Sequence, residues 1–359
     1  MKALVAMSGG VDSSVAALLT KEKGLEVIGC TMKLYSNEEI AAPEGKTCCS
    51  LDDAEDARSV ARRLEIPFYV FNYQDAFREQ VISPFVKSYE AGRTPNPCID
   101  CNRCLKFGAL YRRAEELGCE RIVTGHYVRI TEENGAFHLR KGADASKDQS
   151  YVLYMLTQEQ LSHTLFPLGE FQKNEARRLA EEHGLVTARK KESQDICFVP
   201  DGDYASAIRR FSGEESRPGD FVDLYGQVLG RHKGIIHYTL GQRRGLGISA
   251  ASPLYVVRID PASNTVVLGS NEDLFTRELE VPGFHWIAGK APGKEVRCRV
   301  KVRYRHTEQP AVVQVLEGNK VRIVFDEPQR AITPGQSAVA YDGDEVLGGG
   351  VILPVTMES

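Results

Sequence analysis

Short apolar runs recur along the first third of the chain, and segments with helical spacing follow them. Lys2 to Met7 is almost wholly apolar and runs into Gly9-Gly10, which predicts a buried strand and a tight turn. Val11 to Lys23 carries helix formers and stops at Gly24, a residue suited to a helix C-cap. Glu26 to Leu34 predicts a second strand. Ser50 can cap a helix whose first turn holds Asp52 and Asp53, where the helix dipole favours negative charge. Leu51, Ala54, Ala57, Val60, Ala61 and Leu64 would form its apolar face. Pro67 to Phe71 predicts a third strand, Asp75 to Tyr89 and Lys106 to Leu117 two helices, and Arg121 to Thr124 a fourth strand. GRTPNPCIDCN (92–102) reads as a loop, and about Gln149 to His183 as mostly helical and charged.

Such alternation predicts an α/β fold, a doubly wound parallel sheet with helices on both faces. Ligands in such sheets bind beyond the carboxyl ends of the strands. The turn after Met7, Met32 and Gly125 all fall there. After about Pro200 the pattern changes to short β-rich runs between Gly and Pro turns, as in GDFVDLYGQVLG and PLYVVRIDPASNTVVLG. This predicts three domains: 1–200 with the parallel sheet, 201–280 as a small β-rich module, and 281–359 as a β-barrel. In the last, Arg297, Arg299, Lys301, Arg303 and Arg305 alternate with Cys298, Val300, Val302 and Tyr304. On a strand, period two puts the five cations on one face. A solvated face normally mixes signs, so the run favours phosphate contact.

Composition narrows the class. With 42% hydrophobic and 26% charged residues, the chain reads as an ordinary globular protein. The formal net charge of -4 means that nucleic acid, if bound, must meet local basic surfaces. Arg189-Lys190-Lys191 and Arg243-Arg244 are further basic clusters, equally readable as solvated surface. The opening MKALVAMSGG is too short an apolar run for a signal peptide, and no stretch approaches the roughly 18 residues of a membrane span. A cytoplasmic protein without membrane contact is expected.

Ser8-Gly9-Gly10-Val11-Asp12-Ser13-Ser14 lies between the first strand and helix. Two glycines let backbone amides turn toward an anion, and the serine hydroxyls and helix N-terminus add donors. A plain strand–helix turn would need none of this. The usual phosphate loop has a lysine before Ser/Thr, and this one has none. It is suited to pyrophosphate, with Asp12 free to help position Mg²⁺. SGGVDSS resembles the motif of the ATP pyrophosphatases, the PP-loop superfamily. That resemblance implies ATP cleavage between the α and β phosphates, with ATP held by Ala6, Met7, Ser8, Gly9, Gly10, Val11, Asp12 and Ser13, together with Met32 and Gly125.

Nine cysteines are present. In a reducing compartment, close clusters point to metal or redox chemistry. Cys98, Cys101 and Cys104 make CxxCxxC in a loop stiffened by Pro95 and Pro97. Cys197 is distant, in SQDICF. Cys30, Cys119 and Cys298 lie in apolar contexts and read as small core residues; Cys48 and Cys49 have no assigned role.

TPNPxxxCN and SQDICF resemble the tRNA-specific 2-thiouridylases, the MnmA/TrmU family. GKTCCSLDDAEDAR, TGHY, KDQSYVLY, HYTLGQRRGLG, VRYRH and TPGQSAV extend the likeness over the whole chain. The resemblance implies an ATP-dependent tRNA sulfurtransferase. It would adenylate the 2-oxygen of the wobble uridine and replace it with sulfur, releasing AMP and pyrophosphate. Cys101 would be the nucleophile at the base and Cys197 the persulfide carrier, with Asp12 serving the ATP step. Asn96, Pro97 and Cys98 would line the base pocket. His126, Lys147, Asp148, Gln149, Tyr304, Arg305 and Gln336 match tRNA-contacting positions. The implied partners are the tRNA anticodon stem-loop and a sulfur donor, such as a cysteine desulfurase or relay protein. Arg103 and Lys106 are candidate neighbours that would raise the thiolate fraction.

Cys98 stands where an aspartate is common in that family. It permits a second sulfur chemistry, with Cys98, Cys101 and Cys197 as three ligands of a 4Fe-4S cluster. Cluster and persulfide remain open at this point. A small-molecule ligase of the same ATP superfamily would explain the SGG loop but leave the cysteines without a role.

Overall fold

The computed structural model describes residues 1–36, 38–40, 51–190 and 196–354. Cys48, Cys49, Ser50, Lys191 and the Ser193–Asp195 part of SQDICF lie outside the described residues. The opening strand and helix are β1 (Lys2–Ala6) and α1 (Val11–Glu22). After them come β2 (Glu26–Lys33), α2 (Leu51–Arg63) and β3 (Phe68–Asn72). With β4 (Arg121–Val123) and a later strand, Thr164–Leu165, they form a five-stranded parallel sheet. β1 lies at its centre, between β2 and β4.

Alternation along β1 explains the two covering layers. Leu4 packs into the core that holds Phe77, Phe85 and Leu105. Ala3 and Val5 point the other way, into a core with Val15, Ala16 and Ala180. A strand buried on both faces has to read as a continuous apolar run. Truncating the fully buried Leu4 to Ala would cost about 2–5 kcal/mol.

Several elements differ from the sequence-based expectation. The segment 92–102 is not all loop. Pro97 is the first residue of a helical turn, Pro97–Asp100, and the Asn96 carboxamide accepts a bond from the Cys98 amide at 3.1 Å. Proline suits that first position because its missing N–H has no helical partner. The helix continues as a π-helical stretch, Cys101–Ala109, and then α-helical, Leu110–Glu116. Asp75 to Tyr89 likewise contains a π segment, Arg78–Ile82. Within 149–183, the helix Lys173–Glu182 is joined by short turns and the edge strand Thr164–Leu165.

A longer-range difference concerns a hairpin of β5 (Val128–Glu133) and β6 (Ala136–Lys141), which leaves the parallel sheet. It joins the C-terminal sheet through Arg140 opposite Glu345. Arg129 and Arg140 both bind Asp344, at 2.7 and 2.8 Å. A helix, Tyr204–Ser212, absent from the sequence reading, precedes a four-stranded central sheet built from strands between Gly219 and Gly269. The C-terminal strands, from Phe275–Val281 to Glu345–Val351, make a largely antiparallel sheet around Val300, Ala311, Ile323, Phe325 and Ala338. Among the described residues no helix is long and apolar enough to cross a membrane.

Candidate active site

The phosphate loop follows β1 directly. Ala6 ends the strand, and Met7 is buried, its amide donating to the Cys30 carbonyl at 2.7 Å. Ser8 is exposed, while Val11, Ser13 and Ser14 are buried under the first turn of α1. The Ser8 amide donates to Ser13 Oγ at 3.1 Å, and Ser14 Oγ donates to the Gly10 carbonyl at 2.8 Å. Gly9 has φ +70°, and a Cβ there would stand 2.3 Å from the Asp53 carbonyl oxygen in the first turn of α2. Only glycine fits. Met32 lies near the end of β2.

Asp12 is not free. Lys173 Nζ contacts both its oxygens at 2.7 and 2.8 Å, and the Tyr127 hydroxyl donates to Oδ1 at 2.8 Å. The expectation of an unencumbered metal carboxylate is therefore corrected. Lys173, from a helix 161 positions away, supplies the cation that the loop sequence lacks. The loop motif holds no trace of it.

The TGHY turn after β4 touches both halves of the site. A Cβ on Gly125 would lie 2.7 Å from the backbone of Asp12 and Ser13, so the turn rests on the phosphate loop. Tyr127 reaches Asp12. His126 turns the other way, with Nδ1 2.6 Å from Thr124 Oγ1 and Nε2 3.5 Å from Lys106 Nζ. It is buried between the Phe107 and Phe166 rings. Burial, reinforced by the Lys106 charge, holds its pKa well below the usual histidine range.

Lys106 lies on the cysteine helix, where Cys98, Cys101 and Cys104 recur every third residue. Cys98 is exposed, and Cys101 and Cys104 are half-buried. Burial pushes the Cys101 thiol up to about 11; Lys106 opposes this, while Cys98 and Cys104 add to it. Cys98 is also raised by the surrounding protein, again against Lys106. Both basic neighbours named from the sequence are present, Arg103 acting on Cys104. Cys101 is nevertheless a protonated thiol at neutral pH in this arrangement. Asn102 is buried, with Nδ2 donating to the Val152 carbonyl at 3.1 Å. Cys30, Cys119 and Cys298 are buried, as expected of core residues.

Two distant motifs close around this helix. The Thr94 amide donates to the Pro334 carbonyl at 2.8 Å, and Gln336 Nε2 to the Thr94 carbonyl at 2.7 Å. Gln336 thus holds the loop in front of Asn96 and Pro97. Tyr151 and Tyr154 both bind Ser337. The Asp148 carboxylate accepts from Ser150, and the Gln149 side chain from the Tyr127 amide. Lys147, Asp148 and Gln149 are half-buried. Tyr304 donates to the Asp148 carbonyl at 3.4 Å, and Cys98 is among the groups raising its pKa. Tyr304 is thus within electrostatic range of Cys98, which its place in the sequence does not disclose.

The five-cation strand is corrected. The strand is Glu295–Lys301, and Arg303 to Arg305 lie in the turn beyond it. Arg297 pairs with Asp326, while Arg299 and Lys301 approach Glu308. The strand's outer face is charge-balanced. Arg303 and Arg305 are exposed and have no carboxylate partner among the described residues.

Among the described residues, no three His, Cys, Asp or Glu side chains come together as a metal site. Cys98, Cys101 and Cys197 are not gathered as three cluster ligands, so this arrangement does not fit a 4Fe-4S centre. Nor does Asp12, spanned by an ammonium, fit a magnesium ligand as it stands.

Residues 1–201 match the family model described as tRNA methyl transferase HUP domain. Residues 208–270 match its PRC-barrel domain, and 276–352 an aminomethyltransferase beta-barrel domain. The tRNA-specific 2-thiouridylase MnmA of Clostridioides difficile (strain 630) is 48% identical, with 98% of each chain covered. MnmA 1 of Thermoanaerobacter sp. (strain X514) is 52% identical, covering 98% of this chain and 97% of that one. Among solved structures, a 4-thiouridine synthetase–RNA complex with bound ATP is 23% identical with a TM-score of 0.38, covering 55% of this chain and 45% of that one.

Proposed function

We propose a mechanism from one established premise: the chain belongs to the tRNA-specific 2-thiouridylase family. ATP lies with its phosphates on the SGGVDSS loop. The 2-oxygen of the wobble uridine attacks the α-phosphorus, the bond to the bridging oxygen breaks, and pyrophosphate leaves. The poor leaving oxygen is thereby turned into AMP. The terminal sulfur of a Cys197 persulfide attacks C2 and expels AMP, leaving the base joined to Cys197 through a disulfide. Cys101 attacks the Cys197 sulfur, the thiolated base departs, and a Cys101–Cys197 disulfide remains. Two thiols are oxidised as the persulfide sulfur is reduced, so an external thiol must reset the pair. A cysteine desulfurase or sulfur-relay protein reloads Cys197. The reaction belongs in the cytoplasm, with ATP and tRNA.

The base has to leave the anticodon stack to reach this chemistry. Asn96, Pro97, Cys98 and the Tyr304 ring are suited to receive it, with exposed Arg305 toward the backbone. The observation that carries the reading is the TGHY turn. Gly125 and Tyr127 abut the phosphate loop, while His126 meets Lys106 beside the thiols. This packing supports a reading in which one short turn lies between the adenylation step and the sulfur step.

The test is to incubate the purified chain with ATP, a persulfide donor and tRNA, then digest the RNA for mass spectrometry. The expected product is 2-thiouridine at the wobble position, with one AMP and one pyrophosphate each. Without a thiol reductant, turnover should stop after one product per chain. Unmodified tRNA in the complete reaction would refute the proposal.

A further inference from the structure

We propose that Cys98 is a resolving thiol: it takes over the Cys101–Cys197 disulfide left by each turnover and passes it, as a Cys98–Cys101 disulfide, to an external dithiol. This rests on the sulfur-transfer reading given above and adds one step and one residue to it.

Of the three thiols on the cysteine helix, that reading uses only Cys101. The other two are placed unequally around it. Cys98 and Cys101 are the second and fifth residues of the helix that starts at Pro97. Across an α-helical turn, side chains three residues apart are neighbours, with Cβ atoms about 5–6 Å apart. A disulfide needs about 3.5–4.5 Å, a difference that a first turn can close. The Cys98 amide bonds to the Asn96 carboxamide and not to a helical carbonyl, so its shift breaks no amide bond of the ladder. Cys104 is also three residues from Cys101, but the chain between them is π-helical. The wider turn, bonded i to i+5, rotates the i+3 side chain away from i. Electrostatics agrees, since Cys98 acts on the Cys101 thiol more strongly than Cys104 does.

Exposure gives the pair its direction. Cys98 is exposed, whereas Cys101 and Cys197 are half-buried, and an external thiol attacks an accessible sulfur most readily. Among the described residues the three cysteines are not gathered at one point. A Cys101–Cys197 link therefore ties two separate segments together. A Cys98–Cys101 link occupies one helical turn and leaves Cys197 open for reloading. In the step itself, the Cys98 thiol gives its proton to water and its thiolate attacks the Cys101 sulfur. The bond to Cys197 breaks, and Cys197 leaves as a thiolate and takes up a proton. Lys106 favours the thiolates of both Cys98 and Cys101. One thiolate of the external dithiol then attacks the Cys98 sulfur and releases Cys101. The second closes the external disulfide and frees Cys98, so two electrons pass from the dithiol to the protein pair.

The experiment maps disulfides after one turnover. The full chain is loaded with a persulfide donor, desalted, given ATP and tRNA without reductant, quenched in acid, alkylated and analysed by peptide mass spectrometry. The parent should contain a Cys98–Cys101 disulfide and an alkylated Cys197. Cys98→Ser should contain Cys101–Cys197, and Cys104→Ser should show the parent pattern. With dithiothreitol supplied, Cys98→Ser should need roughly fivefold more of it than the parent to reach half its own maximal rate. A parent that holds Cys101–Cys197 with Cys98 alkylated, or a parent-like dithiothreitol demand in Cys98→Ser, would overturn the inference. A second arm needs no turnover. Cys197→Ala equilibrated with reduced and oxidised dithiothreitol should form Cys98–Cys101, and Cys98→Ser/Cys197→Ala should not. Free thiols at both positions in oxidising buffer, or a Cys101–Cys104 link, would equally overturn it. A parent that makes no 2-thiouridine would instead remove the sulfur-transfer reading on which the role stands.

Discussion

The phosphate loop and the cysteine helix lie on either side of one turn, yet they are built in opposite ways. The loop is finished. Its hydroxyls are bonded within the loop, Gly9 is pressed against α2, and Asp12 is neutralised by Lys173. The cysteine helix is unfinished. Burial keeps Cys101 protonated, the buried carboxamide oxygen of Asn102 finds no partner among the described residues, and the helix entrance is held by contacts from the C-terminal domain. A site for an abundant nucleotide can be rigid in advance. A site that handles reactive sulfur gains from thiols that stay inert until RNA and donor arrive, because thiolate, not thiol, is the species that side reactions consume.

The largest expected effect separates the two regions. Cys101→Ala and Cys197→Ala should each lower 2-thiouridine formation by a factor on the order of 10³ or more. Cys98→Ala should fall only a few-fold, since Cys98 is not gathered with the other two as a ligand. Quantifying 2-thiouridine and bound iron together for all three decides the matter. Equal, severe losses in all three variants, with iron lost alongside, would revive the cluster.

The next effect probes the shared turn. Gly125→Ala puts a methyl against the Asp12–Ser13 backbone and should lower kcat/KM for ATP about 100-fold by displacing the loop. Its cysteines should alkylate at the parent rate. A coupled loss of thiol reactivity would mean that the two regions move as one.

A smaller effect concerns pH. Thiolate is the reactive form, and the Cys101 pKa is pushed up to about 11. Iodoacetamide labelling of Cys101, followed by peptide mass spectrometry, should therefore accelerate about tenfold per pH unit between 7 and 10. Lys106→Met removes the opposing cation, raises the pKa further and should slow labelling at every pH below it. A plateau already reached above about pH 9 would show an ordinary exposed thiol.

The sequence disclosed these regions unequally. β1, the SGG turn and α1 were legible because strand, turn and helix are encoded within about twenty consecutive residues by local pattern. Lys173 was not, because no local signal links it to Asp12. Pro97 looked like a loop residue, although proline equally starts a helix, and the Asn96 cap decided the outcome. The β5–β6 hairpin belongs to the C-terminal sheet, a long-range pairing that periodicity cannot name. The alternating cations from Arg297 onward were read correctly as a face through Lys301. Their carboxylate partners, Asp326 and Glu308, come from the next strand but one in the sheet and from a loop.

The smallest effect follows from that correction. Arg303→Glu with Arg305→Glu should flatten the salt dependence of tRNA binding by roughly 0.7–0.9 in log–log slope for each phosphate that is no longer neutralised. Arg297→Glu should change it little, since that cation already faces Asp326. An unchanged slope in the first pair would place these arginines in plain solvent.

The separation of adenylation from sulfur transfer is tested most directly by pyrophosphate release from radiolabelled ATP by the Cys197→Ala chain, with and without tRNA. The account predicts release that requires tRNA and persists, at least for one turnover, although no 2-thiouridine forms. Release independent of tRNA, or its absence in this variant while the parent releases pyrophosphate, would contradict it.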